Sequence, residues 1–561
     1  MEDPDEIRVS EEDKSSLASF CVAAIPSLAL TIRPPFANRL EPRIFGLPFL
    51  LAYLVFWVLA TTIHVGCQLD KETSMRSIIA LAIIGCVIVG TAGFGIFGVR
   101  KVKMDPTQFI VGGRSLGAIF LWLLMAGEVY TSFTFLGAAG WAYSKGAPAF
   151  YIICYLTVAC ILSFFYLPPI WRTAHRHSLL TSADYFAVKY QSPLLGALVA
   201  LVGVVFLVPY ITLQLTGIQI LLQIAGYGTI DSVLAAGLAF GLIVAFVLVS
   251  GLRGAAWASL IKDALVLGAV LFAGIVLPIQ FFGSPKGVID QVLKVQPNWM
   301  TLAGGTNNFG TVWFVSTVLL TGFGGFMWPH SIAAVYAAKS EEAVRRNAII
   351  LPFYQIMLLL VYFAGFTALL IKPGLKGSEV DQSFMLVVQE HYAPWVLGLV
   401  GAAGCLAALV PAAAQILAAA SLLSRNLSGF GLPAEKQEQR TAATRLWIVL
   451  LSILAFGLWV FARTTLVGLL LIAYSGITQI FPGLMLSLRK RPPHPWSVAI
   501  GILVGLALLI VFAATGTSVV LGLNFGLVAL IANTVVLLAM DIVLNQVAAR
   551  RLIKNCANAG I

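Results

Sequence analysis

Two ionisable side chains stand where an apolar chain tolerates them least: Glu128 within the apolar run 116–142, and Lys262 within the run 256–281. A charge at membrane depth costs at least ~2.5–3.5 kcal/mol on insertion scales, so such residues are functional candidates by default. Burial disfavours the charged form of either group, which suits a proton carrier. Blander roles stand beside this one. Lys262 lies near one end of its run, where a long stem can snorkel. Glu128 could hold a substrate or a structural Arg. Asp263 is expected to point away from Lys262, because neighbours i and i+1 diverge on a helix.

Two of the apolar runs also carry interruptions. The first holds Ala126-Gly127-Glu128-Val129-Tyr130-Thr131-Ser132, then Gly137 and Gly140. The second, 308–338, holds Thr321-Gly322-Phe323-Gly324-Gly325-Phe326-Met327-Trp328-Pro329-His330. Transport folds pair helices that unwind near the bilayer midplane and offer free backbone groups to solute and ion. Non-helical backbone at that depth survives only where it lines a cavity. Glycine is also common at close-packed membrane interfaces, which is the competing explanation for any single one. A solute between the breaks would meet Tyr130, Thr131, Thr134, Gln214, Gly324, Gly325 and Trp328. Helix N-termini at such breaks favour a carboxylate. His330 either lines the path or is a helix-packing histidine; His64 and Asp541 fall at run ends and read as interfacial.

These residues must be positioned by membrane helices. The 561-residue chain is 59% apolar and 11% charged, against about 25% charged in a soluble domain. Its apolar blocks of about 20 residues number about fifteen. Their ranges are 15–32, 46–67, 77–99, 116–142, 146–167, 192–223, 231–250, 256–281, 308–338, 347–371, 393–424, 444–462, 464–487, 496–515 and 519–546. The architecture expected is all-α and polytopic. With the N-terminus outside and loops alternating, twenty-four of the 35 Lys and Arg fall on the inner side and ten on the outer, with Lys262 inside a span. That asymmetry puts the C-terminus in the cytoplasm and the chain in the inner (plasma) membrane.

The net charge of +11 therefore follows the membrane and gives no sign of nucleic acid; the partners implied are the lipid bilayer and a small solute. Seven Cys form no CxxC pair, and the acidic N-terminus does not read as a cleaved signal. No metal cluster, Walker loop or nucleophile–base pair is apparent, so no enzyme and no cofactor is expected. The first broken span opens the group 116–281 and the second the group 308–487, which makes two five-span groups of opposite orientation.

The motifs resemble the sodium:solute symporter family. They are Gly112-Gly113-Arg114-Ser115-Leu116-Gly117, Phe135-Leu136-Gly137, Gly324-Gly325-Phe326 with Pro329-His330, the run from Lys339 to Asn347, and Tyr474-Ser475-Gly476 to Phe481-Pro482. The likeness covers about residues 77–490 and is greatest to the monocarboxylate and pantothenate permeases. It implies a leucine-transporter-like five-plus-five inverted-repeat core, with extra flanking helices, a central site and alternating access. Residues 1–75, through Asn38-Arg39-Leu40-Glu41-Pro42-Arg43, are similar to a small two-span membrane protein of unknown function found beside such symporters, here fused. The symporter-like domain then takes 76–545 and a cytoplasmic tail 546–561.

One departure matters. The resemblance puts the family's sodium-binding carbonyls at Gly127 and Tyr130. It puts the hydroxyl ligands of the eighth core helix, matched through Ala407-Ala408-Leu409-Val410, at Pro411 and Ala412. Ala408, Pro411 and Ala412 supply no side-chain oxygen, and 402–414 contains no Ser or Thr. A family acidic residue appears as Ser259, after Trp257. Lys262, one turn beyond Ser259, could stand in for the ion. The expectation is a symporter importing a small organic solute, a monocarboxylate by preference, coupled to protons. The alternatives are sodium coupling through a modified site, and a sensor or facilitator on a transporter fold. Arg445, at the very start of 444–462, is the one Arg within these ranges, and the spans are too apolar for a channel lining.

Overall fold

The computed structural model describes residues 71–99, 106–302, 309–428, 437–461 and 464–558. Almost every element is helical. The first half holds α1 (Lys71–Val99), α2 (Pro106–Val111), α3 (Ala118–Val129), α4 (Ala138–Lys145), α5 (Tyr151–Arg176), α6 (Ser182–Lys189), α7 (Pro193–Ala225), α8 (Ser232–Leu271), α9 (Leu277–Phe282) and α10 (Pro285–Val295). The second holds α11 (Thr311–Gly324), α12 (Pro329–Ala337), α13 (Glu341–Gln355), α14 (Leu358–Ile371), α15 (Ser383–His391), α16 (Pro394–Leu422), α17 (Gln437–Phe461), α18 (Leu466–Ile477), α19 (Phe481–Ser487), α20 (Pro495–Ala514) and α21 (Phe525–Asn558). A two-residue hairpin, β1 (Val519–Val520) against β2 (Leu523–Asn524), joins the last two.

Among the described residues, ten helices are long and apolar enough to cross a bilayer, and two bent pairs, α3–α4 and α11–α12, pass the same test. A shorter apolar stretch, Ser232–Leu248, coincides with the span expected at 231–250. The chain is a multi-pass membrane protein. The spans expected at 15–32 and 46–67 lie outside the described residues. One expectation needs correcting: no loop divides 231–250 from 256–281, because helix continues through Gly251-Leu252-Arg253-Gly254. Two glycines in an apolar run need not end a membrane helix, and the sequence places no Pro in this stretch.

Helix starts follow local chemistry. The Asp231 carboxylate accepts the Val233 and Leu234 N–H groups at 2.8 Å and starts α8. Thr181 and Asp184 form a reciprocal capping box at α6. The Ser192, Ser340 and Thr465 hydroxyls cap α7, α13 and α18. The centre is α16, whose Gly- and Ala-rich sequence lets α7, α8 and α1 approach closely.

Backbone contacts fix the antiparallel relation of the two bent pairs. Leu116, just before α3, bridges in parallel to Ala338, just after α12: Leu116 N–H donates to Ala337 O at 3.0 Å, and Lys339 N–H donates to Leu116 O at 2.9 Å. At the opposite face, Trp141 of α4 packs on Trp313 of α11, ring centroids 5.9 Å apart. So α3 pairs with α12 and α4 with α11, as inverted repeats require. The terminal pair α20–α21 braces this core: Asn533 Nδ2 donates to Gln479 O at 2.8 Å and to Gln479 Oε1 at 3.0 Å, where α18 gives way to α19.

Candidate functional site

The first break starts at Tyr130, whose extended backbone (φ −87°, ψ 90°) ends α3. Hydroxyls then take over from the lost helical bonds. Thr134 Oγ1 accepts the Thr131 N–H at 2.8 Å, and Thr131 Oγ1 accepts the Phe133 N–H at 3.2 Å. Ser132 N–H donates to Gln214 Oε1 of α7 at 3.3 Å. Helix resumes through a π turn at Phe133–Gly137, and α4 leaves at 52° to α3. Gly217 of α7 is required here, since a methyl at that position would strike the Ser132 side chain.

The second break runs Gly325-Phe326-Met327-Trp328, bends the pair by 47°, and ends where Trp328 turns extended (ψ 134°) before Pro329 opens α12. Gly324 is pressed by Tyr474 of α18 and by Thr478 just after it, and Gly325 by Ala159 of α5. Both glycines therefore serve close helix contact at the break.

Near the first break lies the position that the family resemblance assigns to an ion. A methyl on Gly127 would collide with the Lys262 ammonium and lie 3.3 Å from Ser259 Oγ. Lys262 is completely buried (0%), so it does not snorkel. Ser259 Oγ donates to Ala255 O at 3.0 Å within its own helix. Asp263 does not point away: its Oδ1 lies 2.8 Å from Lys262 Nζ, with the Asp263 side chain 8% exposed. The Cα–Cβ bonds of neighbours do diverge, but four methylenes let the ammonium swing back. The contact is charge to charge, off the line of a hydrogen bond, and leaves Nζ with unused donors. Ala408, Pro411 and Ala412 are all buried on α16, which packs against α8 and α3.

Glu128 is buried as well, 8% exposed, within Coulombic reach of Lys262. Its Oε2 accepts the Ser331 hydroxyl of α12 at 3.0 Å, and its Oε1 has no partner. This bond ties the two half-helices of one face. Around it stand Trp328, Tyr210 and His330, with ring centroids 4.9–6.0 Å apart, and Tyr474 packs on Trp328 at 5.1 Å. Trp328 Nε1, His330 Nδ1, Ser132 Oγ and Gln214 Nε2 are buried without partners.

The expected lining residues thus divide. Thr131, Gln214 and Trp328 sit with Glu128 between the breaks. The Thr134 hydroxyl is used by the turn itself, donating to Val129 O at 3.1 Å. Tyr130 turns toward Tyr354 of α13, centroids 4.7 Å apart. A small cavity beside Met327 is lined by Tyr185, Phe186 and Tyr336.

Three polar residues of the centre escape the sequence reading. Ser331 follows the Pro329-His330 pair already singled out, and the third position of a Pro-opened helix is a natural donor site. Asp263 was set aside on helix geometry alone. Gln415, 0% exposed with both amide atoms unpartnered, lies one turn past Pro411 on α16.

Comparison with known proteins fits this geometry. The model of the sodium:solute symporter family matches residues 109–488. The chain is 39% identical to the uncharacterized symporter YhjB of Bacillus subtilis over 82% of this chain and 96% of that protein. It is 28% identical to the monocarboxylate transport permease protein of Rhizobium johnstonii, over 62% of this chain and 70% of that one. A Na+-coupled sialic acid symporter, solved substrate-bound and outward-open, superposes with a TM-score of 0.69 at 15% identity, covering 83% of this chain and 97% of its own. These relatives are transporters, and the last shows the inverted-repeat fold. On the family match over most of its length, with two broken helices meeting around a buried polar centre, the chain belongs to the sodium:solute symporter family.

Proposed function

We propose that this protein imports a small monocarboxylate across the plasma membrane by alternating access, one proton accompanying each anion, with its C-terminus in the cytoplasm. The observation that carries the reading is Lys262. Its ammonium lies against Gly127, on the side where the family resemblance puts sodium, while the facing α16 offers Ala408, Pro411 and Ala412 instead of hydroxyls. Sodium needs hard oxygen ligands. An ammonium needs only acceptors, and it stays with the protein through the cycle.

Charge then decides what must travel. Lys262 and Asp263 cancel, which leaves Glu128 as the uncompensated charge of the centre. A proton on Glu128 makes the centre neutral before an anion arrives. The monocarboxylate permease relative supports the choice of solute. Proton and monocarboxylate together carry no net charge, so the membrane potential contributes nothing and the gradient supplies ~1.4 kcal/mol per pH unit. The sodium coupling named for the sialic acid symporter favours a second reading, in which Na+ neutralises Glu128 through backbone carbonyls at the break. Two sodium ions per anion would add ~2.3 kcal/mol per 100 mV.

The test is uptake of labelled C2–C4 monocarboxylates into proteoliposomes under separate pH and sodium gradients, with the potential clamped. Accumulation driven by an inward proton gradient, indifferent to potential, is the outcome expected. Accumulation driven by sodium at constant pH would replace the first reading by the second.

A further inference from the structure

We propose that Glu128 and the transported anion compete for one set of donors, the first turn of α12 with the Ser331 hydroxyl, so that the anion binds only after Glu128 takes up a proton. The inference deepens the transport reading above and rests on its substrate class.

The first turn of α12 is bare. Pro329, its first residue, has no N–H, the Ile332 N–H returns to Trp328 O at 3.0 Å, and no side chain caps the helix. The positive end of a nine-residue helix therefore faces the break. What meets it is the carboxylate of Glu128, held by Ser331, the third residue of the turn, at 3.0 Å. An internal anion thus occupies the place that a helix terminus in a transporter break offers to a substrate carboxylate. Glu128 Oε1 beside this turn and His330 Nδ1 within it are both unpartnered, each on a residue at least nine-tenths buried. That is a polar site prepared for a group the protein does not itself supply.

Two carboxylates cannot share it while both are ionised. Like charges a few ångströms apart in a poorly solvated site force one of them to hold a proton. The charged and titratable neighbours do not relieve this. From α8, Lys262 is paired with Asp263. From α12 comes His330, from α7 Tyr210, and from α13 Tyr354, which packs on Tyr130. The charged residues of α13 cluster in its first two turns and pair among themselves, Arg345 with Glu341 and Arg346 with Glu342. Between Pro394 and Leu422, α16 carries no charge. Once protonated, Glu128 no longer holds the Ser331 hydroxyl in a charge-assisted bond. The donors of the turn then pass to the incoming carboxylate. Coupling becomes one proton per anion by competition, without a second ion site.

The experiment measures binding of propionate, lactate and pyruvate, and of neutral propionamide, to the purified full-length protein between pH 5.5 and 8.5. For the wild type, propionate affinity should fall about tenfold per pH unit above the titration of Glu128, while propionamide binding stays flat. Glu128→Gln should bind propionate independently of pH and lose gradient-driven accumulation. Ser331→Ala removes a bond to the ionised form, so its pH midpoint should move upward. Pronounced pH dependence persisting in Glu128→Gln, or pH-independent propionate binding by the wild type, overturns the competition and leaves the substrate class standing. Absence of binding by all three acids defeats the substrate reading and the competition together.

Discussion

Replacing Lys262 by Met keeps the stem and deletes the charge. The ion pair it removes is 2.8 Å long, between side chains 0% and 8% exposed. Coulomb's law at an effective dielectric of 20 gives about 6 kcal/mol for such a pair, before the desolvation already incurred on folding is subtracted. Breaking a buried pair from one side typically costs about 3–5 kcal/mol, because the partner is left charged and unmatched. Here Asp263 loses its paired cation, and Glu128 loses a positive charge within Coulombic reach. Asp263→Asn should cost less, since Lys262 still has Glu128 within reach. The double variant Lys262→Met/Asp263→Asn should recover about 2 kcal/mol or more of the single loss. The assay is a double-mutant cycle on unfolding free energy in mixed lipid–detergent micelles. A coupling below about 0.5 kcal/mol, the limit of additivity between independent sites, would refute the internal cation.

Other consequences are as direct. Asp381 lies buried in the segment Gly377–Gln382 between spans, where its Oδ2 accepts the Leu466 N–H at 2.8 Å. Burial pushes its carboxyl up from 3.8 to about 7, with the Leu466 N–H opposing the shift. Between about pH 4 and 7 the folded state keeps a proton that the unfolded chain has lost, so stability should fall as pH rises through that window and level off above it. The limiting slope is ~1.4 kcal/mol per pH unit, and Asp381→Asn should abolish it in Tm measured against pH. Gly217→Ala would drive a methyl into Ser132 and displace the first break, so binding of a labelled monocarboxylate should weaken at least about tenfold, a misplacement cost of about 1.4 kcal/mol, with the protein still folded. Asn533→Leu removes both bonds to Gln479, each worth about 1 kcal/mol, and should lower Tm by loosening α20–α21 from the core; unchanged Tm would contradict the bracing role.

Much of this architecture is legible because lipid is a strict solvent. Apolar run length locates the described spans apart from the boundary drawn between 250 and 256, and the two Gly-rich interruptions fall where the helices bend. What stays hidden depends on side-chain reach and on three-dimensional neighbours. A helical wheel places Asp263 away from Lys262, yet a four-carbon stem ignores the wheel. Gly324 and Gly325 read as pocket walls, and the contacts that Thr478, Tyr474 and Ala159 also make with them are not local information. Thr134 reads as a ligand hydroxyl, and the bonds by which it also clasps its own turn are invisible in the sequence. Ser331 matters only because α3 and α12 share a face, a relation no local pattern contains.

The parallel bridge between Leu116 and Ala338 sets a rule for what evolution can edit at that mouth of the transporter. Both of its bonds run between main-chain atoms, so the closure does not depend on which side chains occupy positions 116, 337 and 339. Drift there is tolerated so long as an N–H remains. Proline is the exception at 116 and 339, whose amides donate, and either substitution would remove one of the two bonds that join the start of α3 to the end of α12.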